Sequence, residues 1–176
     1  MRQYVLTGAV VLAMCAPAFA KTKAPKAVSD QTFVKKAAAG GMAEVELGRL
    51  AQQNGRSAEV KSFGQRMVDD HSKANDQLKS IAQSKNITLP TTLNAKDRAL
   101  RDRLAKLQGD QFDKAYMQAM VRDHKKDVNE FRRESTAAKD PDVKQFAATT
   151  LPTLEEHLKL AESTDKAVGT SGTLKK

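Results

Sequence analysis

The chain has 176 residues, with 30 lysines and arginines against 21 acids, a formal net charge of +9, one cysteine and no tryptophan. That balance favours contact with anionic surfaces such as lipid head groups or envelope polymers. The bases are interspersed with acids and aromatic residues are few, so no nucleic-acid partner is expected.

Met1 to Ala20 reads as an export signal. Arg2 supplies the positive start, Val5 to Cys15 is almost wholly apolar, and Ala18-Phe19-Ala20 is a cleavage site before Lys21. The apolar run is too short to span a bilayer, and Met14 before Cys15 argues against a lipid anchor there. Cleavage after Ala20 removes Cys15, which excludes disulfides, thiolate metal sites and a cysteine nucleophile from the mature chain. The expected organisation is a signal over 1–20, a flexible leader over 21–28, one helical domain over 29–168 and a disordered tail over 169–176. The expected location is the periplasm, with an association to the outer membrane left open.

Beyond the leader no stretch alternates like a strand, and Gly and Pro punctuate the chain at wide intervals. Ser29 or Asp30 caps a first long helix that stops at Asn54-Gly55. Ser57 caps a second, with Val60, Phe63, Met67, Ala74, Leu78 and Ile81 on one face, ending near Lys85. Asn94, with Asp97 at the third helical position, opens a short helix through about Gln108. Asp110 is read as the cap of the third long helix, whose face carries Phe112, Tyr116, Met120, Val121, Val128 and Phe131. Asp140-Pro141 opens the fourth, with Val143, Ala147, Leu151, Leu154, Leu158 and Ala161 inward and Pro152 as an expected kink.

Four long amphipathic helices imply an all-α, ferritin-like four-helix bundle. Short turns make the first and second helices antiparallel, and likewise the third and fourth. The long connector with its short helix returns along the bundle, which makes the second and third long helices parallel. A repeated stretch supports that relation. Phe63-x-Gln65-x-Met67-Val68-x-Asp70-His71-x-Lys73 recurs as Tyr116-x-Gln118-x-Met120-Val121-x-Asp123-His124-x-Lys126, and Glu156-His157-x-Lys159 echoes its end.

His71 and His124 lie equally far from their helix starts, so parallel helices place them at one height. His157 falls within about 3 Å of that height by helix rise. Each follows an inward residue by one turn and faces the interior. On the first helix Gly40 and Gly41 are level with His71, and Glu44 is about one turn away. Two glycines inside a helix cost roughly 1 kcal/mol each against alanine, so they signal close approach, ligand space or a simple loosening of the helix. His71, His124, His157 and Glu44 form a candidate nitrogen/oxygen site for one zinc, copper, iron or nickel ion. Against this stands a purely structural reading, in which each imidazole is satisfied by a carboxylate on a neighbouring helix. Asp70, Asp123 and Glu156 are turned about 100° from their histidines, which suits salt bridges. Lys73, Lys126 and Lys159 suit a solvated rim. Metal binding is expected to weaken as pH falls through about 6.5, where ordinary imidazoles take a proton.

Ala38 to Ala51, Val60 to His71, Phe112-Asp113-x-x-Tyr116 and Thr150-Leu151-Pro152-Thr153-Leu154-x-x-His157 together resemble a bacterial exported ferritin-like family, catalogued as domain-of-unknown-function 4142. The resemblance spans Gln31 to Ala161. It implies a periplasmic or outer-membrane-associated four-helix domain and no established reaction. Di-iron members of the wider ferritin-like group need paired Glu-x-x-His motifs. Here Val68, Val121 and Leu154 precede the histidines by three, and none can ligate.

Three functions follow as expectations. The leading one is an exported binding protein, with a mononuclear metal site, serving envelope stress or homeostasis. The alternatives are a metal-dependent oxidoreductase and a metal-free module on anionic envelope components. No serine–histidine–acid spacing or Gly-rich phosphate loop is present, and an enzyme is not the expectation.

Overall fold

A computed structural model describes residues 29–171. The expected signal, its cleavage after Ala20, the leader over 21–28 and residues 172–176 of the tail lie outside them. The described residues form five helices and no strand: α1 (Asp30–Asn54), α2 (Ala58–Ser84), α3 (Ala95–Leu104), α4 (Gly109–Ala137) and α5 (Pro141–Ser171). None is long and apolar enough to cross a membrane.

Local chemistry sets most of these ends. Ser29 and Ser57 accept the N–H of Thr32 and Val60, and Asn94 accepts that of Asp97. Asp140 accepts the N–H groups of Asp142 and Val143 ahead of Pro141. α5 continues through Pro152 and reaches Ser171, so Gly169 lies within the helix rather than opening a tail.

Two further ends differ from the sequence reading. α3 stops at Leu104, because the following amides tighten onto carbonyls three residues back and Asn54 donates to the Leu107 carbonyl at 2.9 Å. Asp110 does not cap α4. The cap position is Gln108, Gly109 takes a left-handed φ of 60°, and Asp110 pairs with Arg56 at 3.0 Å.

α1 packs on α2 and α4 on α5 as antiparallel hairpins, and the hairpins meet through α1 against α4 and α2 against α5. Cross-contacts give the directions. On α1 and α4, Phe33 meets Phe131, Lys36 meets Glu130 and Glu44 approaches His124, so these helices run antiparallel. On α2 and α5, Asp70 meets His157 while Lys85 meets Asp140, again antiparallel. α2 and α4 are therefore parallel, and the connector carrying α3 crosses α1 and α4 on its way back.

Each tight turn is clamped by a carboxylate from the opposite hairpin. Asp113 on α4 accepts the amides of Arg56 and Ser57 at 3.0 and 2.8 Å. Asp30 on α1 accepts those of Lys139 and Asp140 at 3.1 and 2.7 Å. Such charge-assisted bonds contribute about 1.5–3 kcal/mol each, and here they also lock one hairpin to the other.

Small residues decide how close α1 and α2 come. A methyl group at Gly48 would meet the Gly64 carbonyl oxygen at 2.5 Å, and one at Gly64 would meet the Gly48 carbonyl oxygen at 2.7 Å. The apolar faces named from the sequence are inward, and they divide into two clusters. One holds Phe33, Leu78, Phe131 and Phe146; the other holds Phe63, Met67, Phe112 and Met120. Between them runs a polar layer of Glu44, His71, His124 and His157. That layer is the candidate site.

Candidate metal centre

Each histidine comes from a different helix and is placed by the residues around it. His71 follows Met67 on α2, His124 follows Met120 on α4, and His157 follows Leu154 on α5, so packing at those turns turns all three rings inward. Their exposures are 8%, 0% and 1%, which removes them from bulk water. One ring nitrogen from each lies within 4.8 Å of the others, and ring centroids stand 5.4 to 5.9 Å apart.

The hydrogen bonds set the tautomers of His124 and His157. His124 Nδ1 donates to the Met120 carbonyl at 2.9 Å, which leaves Nε2 with its lone pair free. His157 Nε2 donates to the Asp70 carboxylate at 2.7 Å, which frees Nδ1. The nitrogens left without partners are His71 Nε2, His124 Nε2 and His157 Nδ1. Every ring thus offers one unpaired nitrogen, and two are steadied from behind by a carbonyl or a carboxylate, as metal-ligating imidazoles commonly are.

Burial first, then repulsion from His124 and His157, holds the His71 imidazole well below its ordinary value. His124 is pushed down to about 4 by burial and then by His157, against a smaller upward pull from the bond to Met120. Burial also lowers His157, opposed by its bond to Asp70. All three rings are therefore neutral near pH 7, the form that binds a metal.

Glu44 is 3% exposed. Its Oε1 lies 4.0 Å from His124 Nδ1, the nitrogen already bonded to Met120, so it stands behind that ring and outside the three-nitrogen cluster. Its Oε2 has no hydrogen-bond partner. Burial, then the charges of Asp127, Asp123 and Asp97, push this carboxyl well above its ordinary range. The acids beside the histidines make ion pairs: Glu156 meets Arg66 and Asp123 meets Lys96 across helices, while Asp70 meets Arg66 within α2. Lys73, Lys126 and Lys159 are exposed.

The two interior glycines have different roles. At Gly41 a methyl group would collide with the Asn75 side chain, whereas at Gly40 it would meet nothing within 4 Å. Both line a cavity of ≈ 290 Å³ enclosed by α1, α2, α4 and α5, with α3 alongside. Sequence reasoning missed Asp127 and Asn75, which also line it. The signal was present, since they sit three and four residues beyond His124 and His71 on the same faces.

The chain belongs to the family described as Domain of unknown function (DUF4142), whose model matches residues 15–164. No curated protein matches it significantly. Among solved structures, CopM in the Cu(II)-bound form is similar at a TM-score of 0.68 and 15% identity, covering 80% of this chain and 97% of that one. CopM in the Cu(I)-bound form gives 0.65 and 16%, covering 78% and 95%. A DUF305 fragment from Deinococcus radiodurans gives 0.68 and 14%, covering 83% and 99%. At these identities the likeness concerns the fold alone.

Proposed function

We propose that this DUF4142 chain is an exported, ferritin-like bundle of the cell envelope that binds one transition-metal ion, copper foremost, through His71, His124 and His157. One observation carries the reading: three buried imidazoles from three helices meet in one cluster, and each keeps a ring nitrogen without a partner. An unsatisfied buried polar atom costs about 1–3 kcal/mol, so a layer of three is a standing cost to the metal-free chain. A metal ion bonded to all three removes it.

The donor set favours copper. Neutral imidazoles suit copper, zinc and nickel, and among first-row divalent ions the Irving–Williams order peaks at copper. CopM, of similar fold, is known in Cu(I)- and Cu(II)-bound forms. Three nitrogens around one ion at about 2.0–2.1 Å stand about 3.3–3.6 Å apart, from tetrahedral to trigonal angles. Starting from up to 4.8 Å, the rings close by side-chain rotation while the helices stay in place. Glu44 joins as a fourth ligand only if its side chain swings past His124. The site lacks the paired glutamates of a dinuclear oxidase centre. Binding and buffering of a single ion is thus the better reading than oxygen chemistry.

Calorimetry and chelator competition with Cu(I), Cu(II), Zn(II), Ni(II) and Fe(II) test it. One ion per chain is expected. His124→Ala should weaken binding by more than about 100-fold, and Asp70→Asn, which loses only the outer partner of His157, by about 10–100-fold. Lys126→Ala should leave affinity unchanged. If no ion binds the wild type more tightly than the His71/His124/His157 triple alanine variant, the histidines are structural and the metal reading falls.

A further inference from the structure

The cavity beside the histidines has a chemistry of its own. Of the three rings, His71 lines it, and so does Glu44, which stands against His124. Deeper on its walls are the half-buried acids Asp97, Asp123, Asp127 and Glu130; at its rim are the exposed Lys36, Lys96 and Lys126. Lys36 and Lys96 are engaged, at 3.6 Å with Glu130 and 3.7 Å with Asp123. Asp127 has no cation within ion-pair distance among the described residues. The lining atoms that are buried without a hydrogen-bond partner are Glu44 Oε2, Asn75 Oδ1, Glu130 Oε1 and His71 Nε2, and of these Glu130 Oε1 has Lys36 and Arg133 at ion-pair distance. Three are oxygen acceptors, and the fourth is an imidazole nitrogen.

In a strongly basic protein this concave surface is lined by four half-buried acids and by acceptor atoms without hydrogen-bond partners, a lining that suits a cation. The volume of ≈ 290 Å³ also fits. At about 30 Å³ per water, an ion with six waters needs about 180 Å³.

We propose that this cavity is an outer cation site, the vestibule through which a hydrated divalent transition-metal ion reaches the three histidines. Asp97 and Asp127 gather the ion, Asn75 and Glu44 replace part of its water, and His71 is the first imidazole it meets. The route rests on the metal reading above; the outer site does not. Carboxylates in a low-dielectric cleft raise local cation concentration and speed association by about 10- to 1000-fold, an effect that salt screens.

Two measurements test this. Stopped-flow uptake of Cu(II) by the mature protein should be slowed about tenfold or more in the Asp97→Asn/Asp127→Asn double variant at low salt. Release should slow equally, with stoichiometry and Kd unchanged, because the variant alters the path and leaves the ligands alone. Raising the salt should close the gap with wild type. Glu156→Gln, on the α2–α5 face, should have wild-type kinetics. Unchanged uptake in the double variant overturns the route, as does slowing in Glu156→Gln alone, which would put the entrance at α2–α5. Independently, Mn(II), which prefers oxygen ligands, should broaden the amide signals of Gly40, Gly41 and Asp127 first, and should not do so in the double variant. Broadening spread over surface acids such as Asp76 and Asp165 overturns the outer site. A wild type that takes up no Cu(II) but shows the Mn(II) pattern refutes the histidine reading while the outer site stands.

Discussion

Asp127 gives the sharpest test of the electrostatics, because it destabilises the fold it belongs to. Its carboxyl is raised from 3.8 to about 6, by burial first and with Asp123 and Glu130 contributing, against an opposing pull from Lys126. A folded-state value above the unfolded one means that the fold prefers the protonated acid. The associated stability is fully present below pH 3.8 and is lost as pH rises through about 6. At about 1.4 kcal/mol per pH unit, ionised Asp127 costs the native state up to about 3 kcal/mol at pH 7. Asp127→Asn keeps the shape and removes the charge. It should therefore raise stability at pH 7 by about 1–3 kcal/mol, the lower figure allowing for solvent at the edge of the half-buried group. The assay is urea denaturation of metal-free wild type and variant at pH 7, 5.5 and 3.5. The stability gap should shrink with acid and close at the lowest pH. A variant no more stable than wild type at pH 7, or a gap that persists at pH 3.5, would refute the reasoning. A carboxylate that weakens its own fold fits a role in passing cations inward.

Two further outcomes follow. Because burial holds the three imidazoles below the ordinary value of 6.5, with His124 at about 4, protons compete with metal only at lower pH than the sequence implied. In a Glu44→Gln background, which removes one buried proton a metal could displace, competitive titration should show affinity falling clearly less between pH 7 and 5.5 than the about tenfold per ring that ordinary histidines would lose. At the α1–α2 contact, Gly48→Ala and Gly64→Ala drive a methyl group onto the opposing backbone and should each cost about 2–4 kcal/mol by thermal or urea denaturation, whereas Gly40→Ala, with open space before it, should gain up to about 1 kcal/mol from helix propensity.

Helix ends and inward faces were legible because caps and periodicity are local. Ser29, Ser57, Asn94 and Asp140 act where their types predict, and the stripe residues point inward. The common height of His71, His124 and His157 was legible too, since helix rise and short turns convert sequence distance into position. Helix rotation and separation come from packing, and there local reading stopped. Gly48 against Gly64 sets how closely α1 approaches α2, and the packing of α1 on α4 puts Glu44 behind His124 rather than among the three nitrogens. Asp110 lost its expected capping role, since Gly109 in a left-handed conformation begins α4 and Arg56 takes the carboxylate. The clamps from Asp30 and Asp113 join groups remote in sequence, and no local pattern marks them. The cavity needs α3 laid beside α1 and α4, and the depressed imidazole values need the burial that this packing creates. Sequence by itself determined which residues could meet at one height; tertiary packing decided which atoms face one another, because rotation about a helix axis depends on the volumes of neighbours far away in the chain.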